Sequence, residues 1–446
     1  MSNLSEWFPN YKHVVGDFTD PHPTADTLTA DLPFVTKELR NGRQYEVPVV
    51  VSLEQGVTPD VSGDTFTIRD ARNSVMKEAI VDGATLLFNA NIPYDAMLRS
   101  SNGTGNRKQG NAFKDSFIEK TRQVMEQGEH YIEIANHYGP GSGSTIADDI
   151  GVLGAAAGGT GTALNTGVTM PITIATWAPG VWTRLNNALV DLYNSAGNTL
   201  IANNVIVSAV DPTYAPAGSP VAPNVSLISN TVGNNTTTVG ANTAIASLAG
   251  LRIVPAAWAT KGCIGLVSQF KNTGTQFNIS ASAYPNIWKP HQIATTGTLT
   301  RLKIQSIGAR MFPFMKDKNG VTMYLPAPIF ADLAEETETQ RQYVDSGEVR
   351  KVSPTSIVYR TACGPFECKM DAMMKFGTAI GFGKSAKAVR VGSSPLTFRG
   401  KGEEWFFLEL PQQAGSQIRA ITNFSPFVHE PNKAFIITGL TPNALI

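Results

Sequence analysis

Glycines beside a lysine and a serine are the residue types that cradle phosphate, and "GFGKSA" at 381 to 386 has them. A phosphate loop requires glycine five positions before Gly383, however, and Thr378 stands there. The letters also fit the G-x-G-x-x-A dinucleotide fingerprint. Too few residues precede Gly392 to build the helix whose N-terminus would hold a pyrophosphate. The segment therefore reads as a turn exposing Lys384 and Lys387. Cys363 and Cys368 have four residues between them, without a second cysteine pair or a histidine nearby in sequence, so they do not read as a zinc site. Together with Cys263 they read as thiols of a reducing compartment. Six histidines show no metal-ligand spacing, and His130 and His137, seven apart, read as helix-surface residues. Glu335, Glu336 and Glu338 read as a solvated helix face. The G-x-S-x-G, H-E-x-x-H and EF-hand patterns do not occur. The expectation is a chain with no catalytic residue, no cofactor and no metal.

The elements that would have to position any chemistry are more informative. "NAFKDSFIEKTRQVMEQGEHYIEIANHYG" at 111 to 139 places Phe113, Phe117, Thr121, Val124, Gly128, Tyr131, Ala135 and Tyr138 three or four residues apart, which predicts an amphipathic helix. Asn111 is the expected cap, Gly139-Pro140 the stop, and the charged residues including Glu129 and Glu133 the wet face. At about 1.5 Å per residue it would run about 40 Å, with a bend or break at Gly128. Tyr45, Val47, Val49, Val51 and Leu53 alternate as in a strand, and "ATLLFNANIPY" at 84 to 94 reads as its partner in a long two-stranded projection. Such a ribbon is marginal alone in water.

Charge is distributed unevenly along the 446 residues. Lys+Arg and Asp+Glu are 36 each, which argues against a basic nucleic-acid footprint. Between 151 and 250 only Arg184, Asp191 and Asp211 are charged. That segment reads as a β-rich domain with Trp177, Trp182, Leu185, Leu192, Tyr193, Ile206 and Val207 in its core and a hairpin around Ser195 to Gly197. Further on, "LTRLKIQSIGARMF" reads as a buried helix using Leu302, Ile304, Ile307 and Met311, and "GVTMYLPAPIFADLAEETETQRQY" as a strand running into a helix. The class is α+β. The start, "MSNLSEWFPNYKHVVGDF", has no basic region followed by an apolar run, and no stretch is long and apolar enough for a bilayer. Cytosolic synthesis without membrane association is expected.

This order of elements resembles the major capsid proteins of tailed bacteriophages with the HK97-like capsid fold. "FNISASAYPNIWK", "VTMYLPAPIFADLAEETETQRQY" and "PLTFRGKGEEWFFLELPQQAGSQIRAITNFSPFVHEPNKAFIITGL" are similar to parts of one branch, and "TIATWAPGVWTRLNNALVDLYNSAGNTL" to the start of its inserted β-domain. The resemblance spans about residues 45 to 440. It implies an N-terminal arm (1–44), an E-loop (45–105), a spine helix and the start of the P domain (106–165), an inserted β-rich domain (166–257), and the remaining P domain with the A domain (258–446). It implies self-assembly as pentamers and hexamers into an icosahedral shell enclosing double-stranded DNA, hence a virion location after synthesis in the host bacterial cytoplasm. A separate scaffolding protein, a portal and a decoration protein are the implied partners. Lysine–asparagine crosslinking, known in some members, is not assigned to Lys77 or any partner here. The competing readings are a β-rich phage fibre, spike or adhesin and a carbohydrate-active enzyme. On exposure grounds the expected intersubunit contacts are Val49, Val51 and Leu53 on the ribbon and Glu119, Arg122 and Glu126 on the helix. Tyr284, Trp288, Trp405 and Phe407 are the expected folding core.

Overall fold

A computed structural model describes residues 28–36, 44–57, 70–93, 107–139, 148–155, 159–213, 222–230, 243–315, 319–341, 356–397, 407–409 and 415–442. The chain is α+β and divides into two compact units: Asp149–Ala257, and Asp26–Asp148 together with Trp258–Asn443.

In the larger unit the ribbon is built from β2 (Gln44–Ser52) and β3 (Val75–Asp82), paired antiparallel from Gln44↔Asp82 to Ser52↔Val75. The stretch at 84 to 94 is therefore not the partner of 45 to 53. It forms β4 (Ala84–Pro93), which pairs along its length with β21 (Gly415–Val428). That five-stranded sheet also holds β1 (Phe34–Thr36), β19 (Ala388–Thr397) and β20 (Phe407–Glu409). Gly83 makes the change of sheet possible, because a Cβ there would lie 2.8 Å from the Tyr45 ring and 2.9 Å from the Asn423 side chain.

Period-two alternation puts Tyr45, Val47 and Val51 of β2 and Ala79 and Val81 of β3 inward. They pack with Phe277, Trp288, Val391 and Phe427, so the ribbon's root is part of the core. Phe277 and Asn278, both with positive φ, make the two-residue turn between β12 (Thr275–Gln276) and β13 (Ile279–Ser280). Phe277 is thereby set edge-on to Phe427 at 5.2 Å. Of the expected folding core, Trp288 is buried and Tyr284 partly buried, while Trp405 lies outside the described residues.

Helix α1 (Leu28–Asp31) precedes α2 (Arg107–His137), 31 residues and about 46 Å long at 1.5 Å per residue. Asn111 is thus inside α2 rather than at its cap. The helix runs unbroken through Gly128, whose missing Cβ makes room for Leu396 and Phe88; the glycine serves close packing against the sheet, not a bend.

A second core lies on the six-stranded sheet β14 (His291–Gly297), β22 (Ala434–Leu440), β18 (Thr378–Gly383), β15 (Val321–Leu325), β17 (Gly364–Met370) and β16 (Ser356–Thr361), in that spatial order. Ile304, Ile307 and Met311 of the helix Arg301–Met311, capped by Thr300, and Ile329 and Leu333 of the helix Ala327–Arg341 fill it with Met323, Phe366 and Phe435. Leu302 is a correction to the expected buried face, being 73% exposed. One position off the i, i+3, i+7 stripe is enough to turn a leucine outward.

The smaller unit has a seven-stranded sheet ordered β5 (Gly151–Val152), β11 (Arg252–Pro255), β8 (Leu189–Tyr193), β9 (Leu200–Asp211), β10 (Asn224–Ser229), β7 (Val168–Pro171) and β6 (Thr160–Gly161). It takes in residues before 166 as well as after. Trp177 and Trp182 stack at 6.0 Å with both rings buried. The buried Asp191 carboxylate accepts the main-chain N–H of Asn204 (2.9 Å) and of Ala257 (2.8 Å), fixing two non-glycine residues with positive φ. Burial, opposed by those two bonds, pushes the Asp191 carboxyl up.

Candidate assembly surface

The ribbon's outer end differs from its root. Val50 (42% exposed), Leu53 (75%), Val57 (85%), Val75 (40%) and Met76 (65%) present apolar side chains to solvent around the register shift at Val50/Ser52. Of the three ribbon residues singled out from sequence, only Leu53 is exposed. Val51 is 3% exposed and Val49 half-buried against the core. The alternation is legible in the sequence, but its inward parity is set by what β2 packs on, and this corrects Val51 as an available contact.

On α2, Arg122 is exposed and Glu126 half-buried. The Arg122 Nε and a Glu126 carboxylate oxygen stand 3.7 Å apart in an i,i+4 pair. The Glu119 side chain lies outside the described residues. A pair this exposed contributes little to folding, typically well under about 1 kcal/mol.

The final two turns of α2 depart from the expected wet face. His130, Glu133, Asn136 and His137 are all buried, at 6%, 2%, 0% and 0% exposure. The loop 371–377 between β17 and β18 meets His137 and Tyr138 at the helix end, and α1 meets Asn136. Asn136 Nδ2 donates to Thr29 Oγ1 at 2.7 Å. The two ring nitrogens of His137 meet the Glu133 main-chain carbonyl and Asp371 Oδ2, each at 2.9 Å. Tyr138, just past the helix, donates its hydroxyl to the Met373 carbonyl. Lys375 Nζ lies 4.9 Å above the Tyr138 ring and 2.7 Å from Asp148 Oδ1, which Lys271 Nζ also approaches at 3.3 Å. Burial would raise the Asp148 carboxyl, but the two ammonium groups outweigh it and hold it below the usual carboxylate range. Two glycines allow the main chains to approach here: a Cβ on Gly265 would lie 2.5 Å from the His137 carbonyl, and one on Gly139 2.1 Å from the Cys263 carbonyl. Sequence spacing carries no signal for this cluster, since Asp371 is 234 positions from His137.

The other candidate groups are structural. Lys384 and Lys387 are exposed in the turn after β18, Lys387 with φ 52°, and Lys384 lies 3.2 Å from Glu367. All three cysteines are buried thiols; burial pushes Cys263 up to about 12 and raises Cys363 and Cys368, which suppresses the nucleophilic thiolate. Among the described residues no helix is long and apolar enough to cross a membrane.

No family model matches the chain, and no curated protein matches it. Among solved structures it is similar to the cyanophage A-1(L) capsid asymmetric unit, at 10% identity over 96% of each chain with a TM-score of 0.49. It is similar also to the capsid of cyanophage P-SCSP1u (9% identity, 96% of this chain and 92% of that one, TM-score 0.42). A third likeness is to the holo-SrpI encapsulin complex from Synechococcus elongatus (10% identity, 99% of this chain and 97% of that one, TM-score 0.38).

Proposed function

We propose that this chain is a major capsid protein with the HK97-like fold, a non-catalytic tile that assembles with copies of itself into the head shell of a tailed phage around double-stranded DNA. The observation that carries the reading is the ribbon β2–β3. Its root is fixed in the core, and its outer end holds five exposed large hydrophobic side chains that the described residues of one chain leave uncovered. A neighbouring copy covering that end removes the apolar surface from water, and repetition of the same contact under closed symmetry gives a shell. In this reading the ribbon is the E-loop, α2 the spine helix of the P domain, and the Asp149–Ala257 unit the inserted domain, open to a decoration protein. Equal numbers of acidic and basic residues suit tiles packed edge to edge. Scaffolding protein and portal would be separate chains.

Electron microscopy of the chain expressed alone and with its neighbouring genes tests this. Uniform closed particles tens of nanometres across are expected in at least the second preparation, and fibres, discrete spikes or a stable monomer in both would overturn it.

A further inference from the structure

Glu133, His137 and Asp371 each offer a ligand atom, and these atoms lie within 4.8 Å of one another in a fully buried cluster. Glu133 and His137 are one turn apart on α2, and Asp371 comes from the loop after β17. The Glu133 main-chain carbonyl can only accept, so His137 Nδ1 carries the hydrogen of that 2.9 Å bond. The tautomer is thereby set with Nε2 turned to Asp371 Oδ2, 2.9 Å away. Asp371 is oriented as well, because its Oδ1 accepts the Met373 N–H at 2.8 Å. Two electron-pair donors this close require a positive species between or beside them, either a proton or a metal cation.

The spacing suits the cation. Two ligands each about 2.1 Å from one ion stand about 3.0 Å apart at an octahedral angle and about 3.4 Å apart at the tetrahedral one, so the 2.9 Å between Nε2 and Oδ2 fits the first directly and the second after about 0.5 Å of opening. Glu133 Oε1 stands 4.0 Å from His137 Nδ1, the nitrogen that faces the carbonyl, so its side chain has to rotate toward Nε2 to complete the set. A ligating histidine that donates its other ring N–H to a main-chain carbonyl is the usual second shell of such sites. We propose that Glu133, His137 and Asp371 bind one divalent transition-metal ion of the zinc or manganese class, which ties the end of α2 to the loop 371–377. One imidazole and two carboxylates favour such ions over calcium.

The test uses the untagged full chain, stripped with chelator, desalted, and equilibrated with a slight excess of Zn2+ or, separately, Mn2+. After a second desalting, elemental analysis should find about one ion per chain, and the melting temperature should rise by several degrees. Asp371→Asn should retain at least tenfold less metal and show no such rise. Should that variant fail to fold, X-ray absorption of the Co2+-loaded wild-type chain decides instead: one imidazole nitrogen with carboxylate oxygens at about 2.0–2.2 Å is expected. No retained ion in the wild type, equal retention in folded Asp371→Asn, or a cobalt shell of several histidines or of water alone would overturn the proposal and leave a proton between His137 and Asp371.

Discussion

Lys375 and Asp148, 227 positions apart in sequence, meet at 2.7 Å with both side chains almost wholly buried. The pair has Lys271 on its other side and the Tyr138 ring beneath the lysine, so it joins three segments around the end of α2. Because the folded carboxyl is held below its ordinary value, Asp148 contributes stability that is present above the unfolded-state value of about 4 and is lost as pH falls through the folded one. Thermal melts between pH 6 and pH 2 should show that loss in the wild type and a flatter acid limb in Asp148→Asn. At neutral pH the variant should be less stable by about 3 kcal/mol, since a buried ammonium loses its opposite charge.

His291 gives the opposite probe in a milder pH range. Burial first, and then the Arg310 guanidinium, push its imidazole down from the ordinary value. A histidine kept neutral in the folded state gives stability that is fully present above about 6.5 and declines as pH falls below it, because the unfolded chain binds the proton more readily. His291→Asn should flatten the dependence of the melting temperature between pH 7 and pH 5. An unchanged slope in the variant would assign that dependence to other groups.

Gly128 and Gly265 separate two uses of glycine in a helix-packing contact. A methyl at Gly128 meets Leu396 Cδ2 at 3.0 Å, the movable end of a side chain. Gly128→Ala should therefore change stability by less than about 1 kcal/mol, the gain in helix propensity offsetting the crowding. At Gly265 the methyl would meet main chain at 2.5 Å, which cannot yield without moving α2. Gly265→Ala should cost more than about 3 kcal/mol in denaturant melts or give insoluble protein.

Local periodicity makes the α+β class, the α2 core stripe and the β8–β9 hairpin legible in the sequence. Val124, Ala135 and Tyr138 are buried as their spacing requires. Pairing across long separations is not legible in the same way. The segment between 53 and 84 hides the strand Val75–Asp82, whose "VMKE" half is exposed on both faces and so lacks a strict alternation. The true partner of 84 to 94 lies more than 320 residues later, so local pattern alone pairs the wrong strands in the ribbon. His137 and Glu133 read as surface for the same reason: a polar residue at a solvent-facing helical position looks identical until the loop carrying Asp371 comes to lie beside it.

Val51 and Leu53, two residues apart on one ribbon, should fail in different ways. Val51 is buried against Trp288 and its neighbours, so Val51→Ala should lower the melting temperature of the isolated chain, at a cost of about 2 kcal/mol. Leu53 is 75% exposed and Met76, on the adjacent strand, 65%. Leu53→Asp and Met76→Asp should leave the isolated chain's melt unchanged within about 0.5 kcal/mol. If a second copy covers this end of the ribbon, the same two substitutions place a charge in an apolar contact and should cut the yield of closed particles at least tenfold by electron microscopy or sedimentation. Arg122→Glu, which lies on the polar face of α2, should lower particle yield with the fold intact. Full particle yield from Leu53→Asp and Met76→Asp together would remove the ribbon's outer end from the assembly contact and with it the main support for the shell reading.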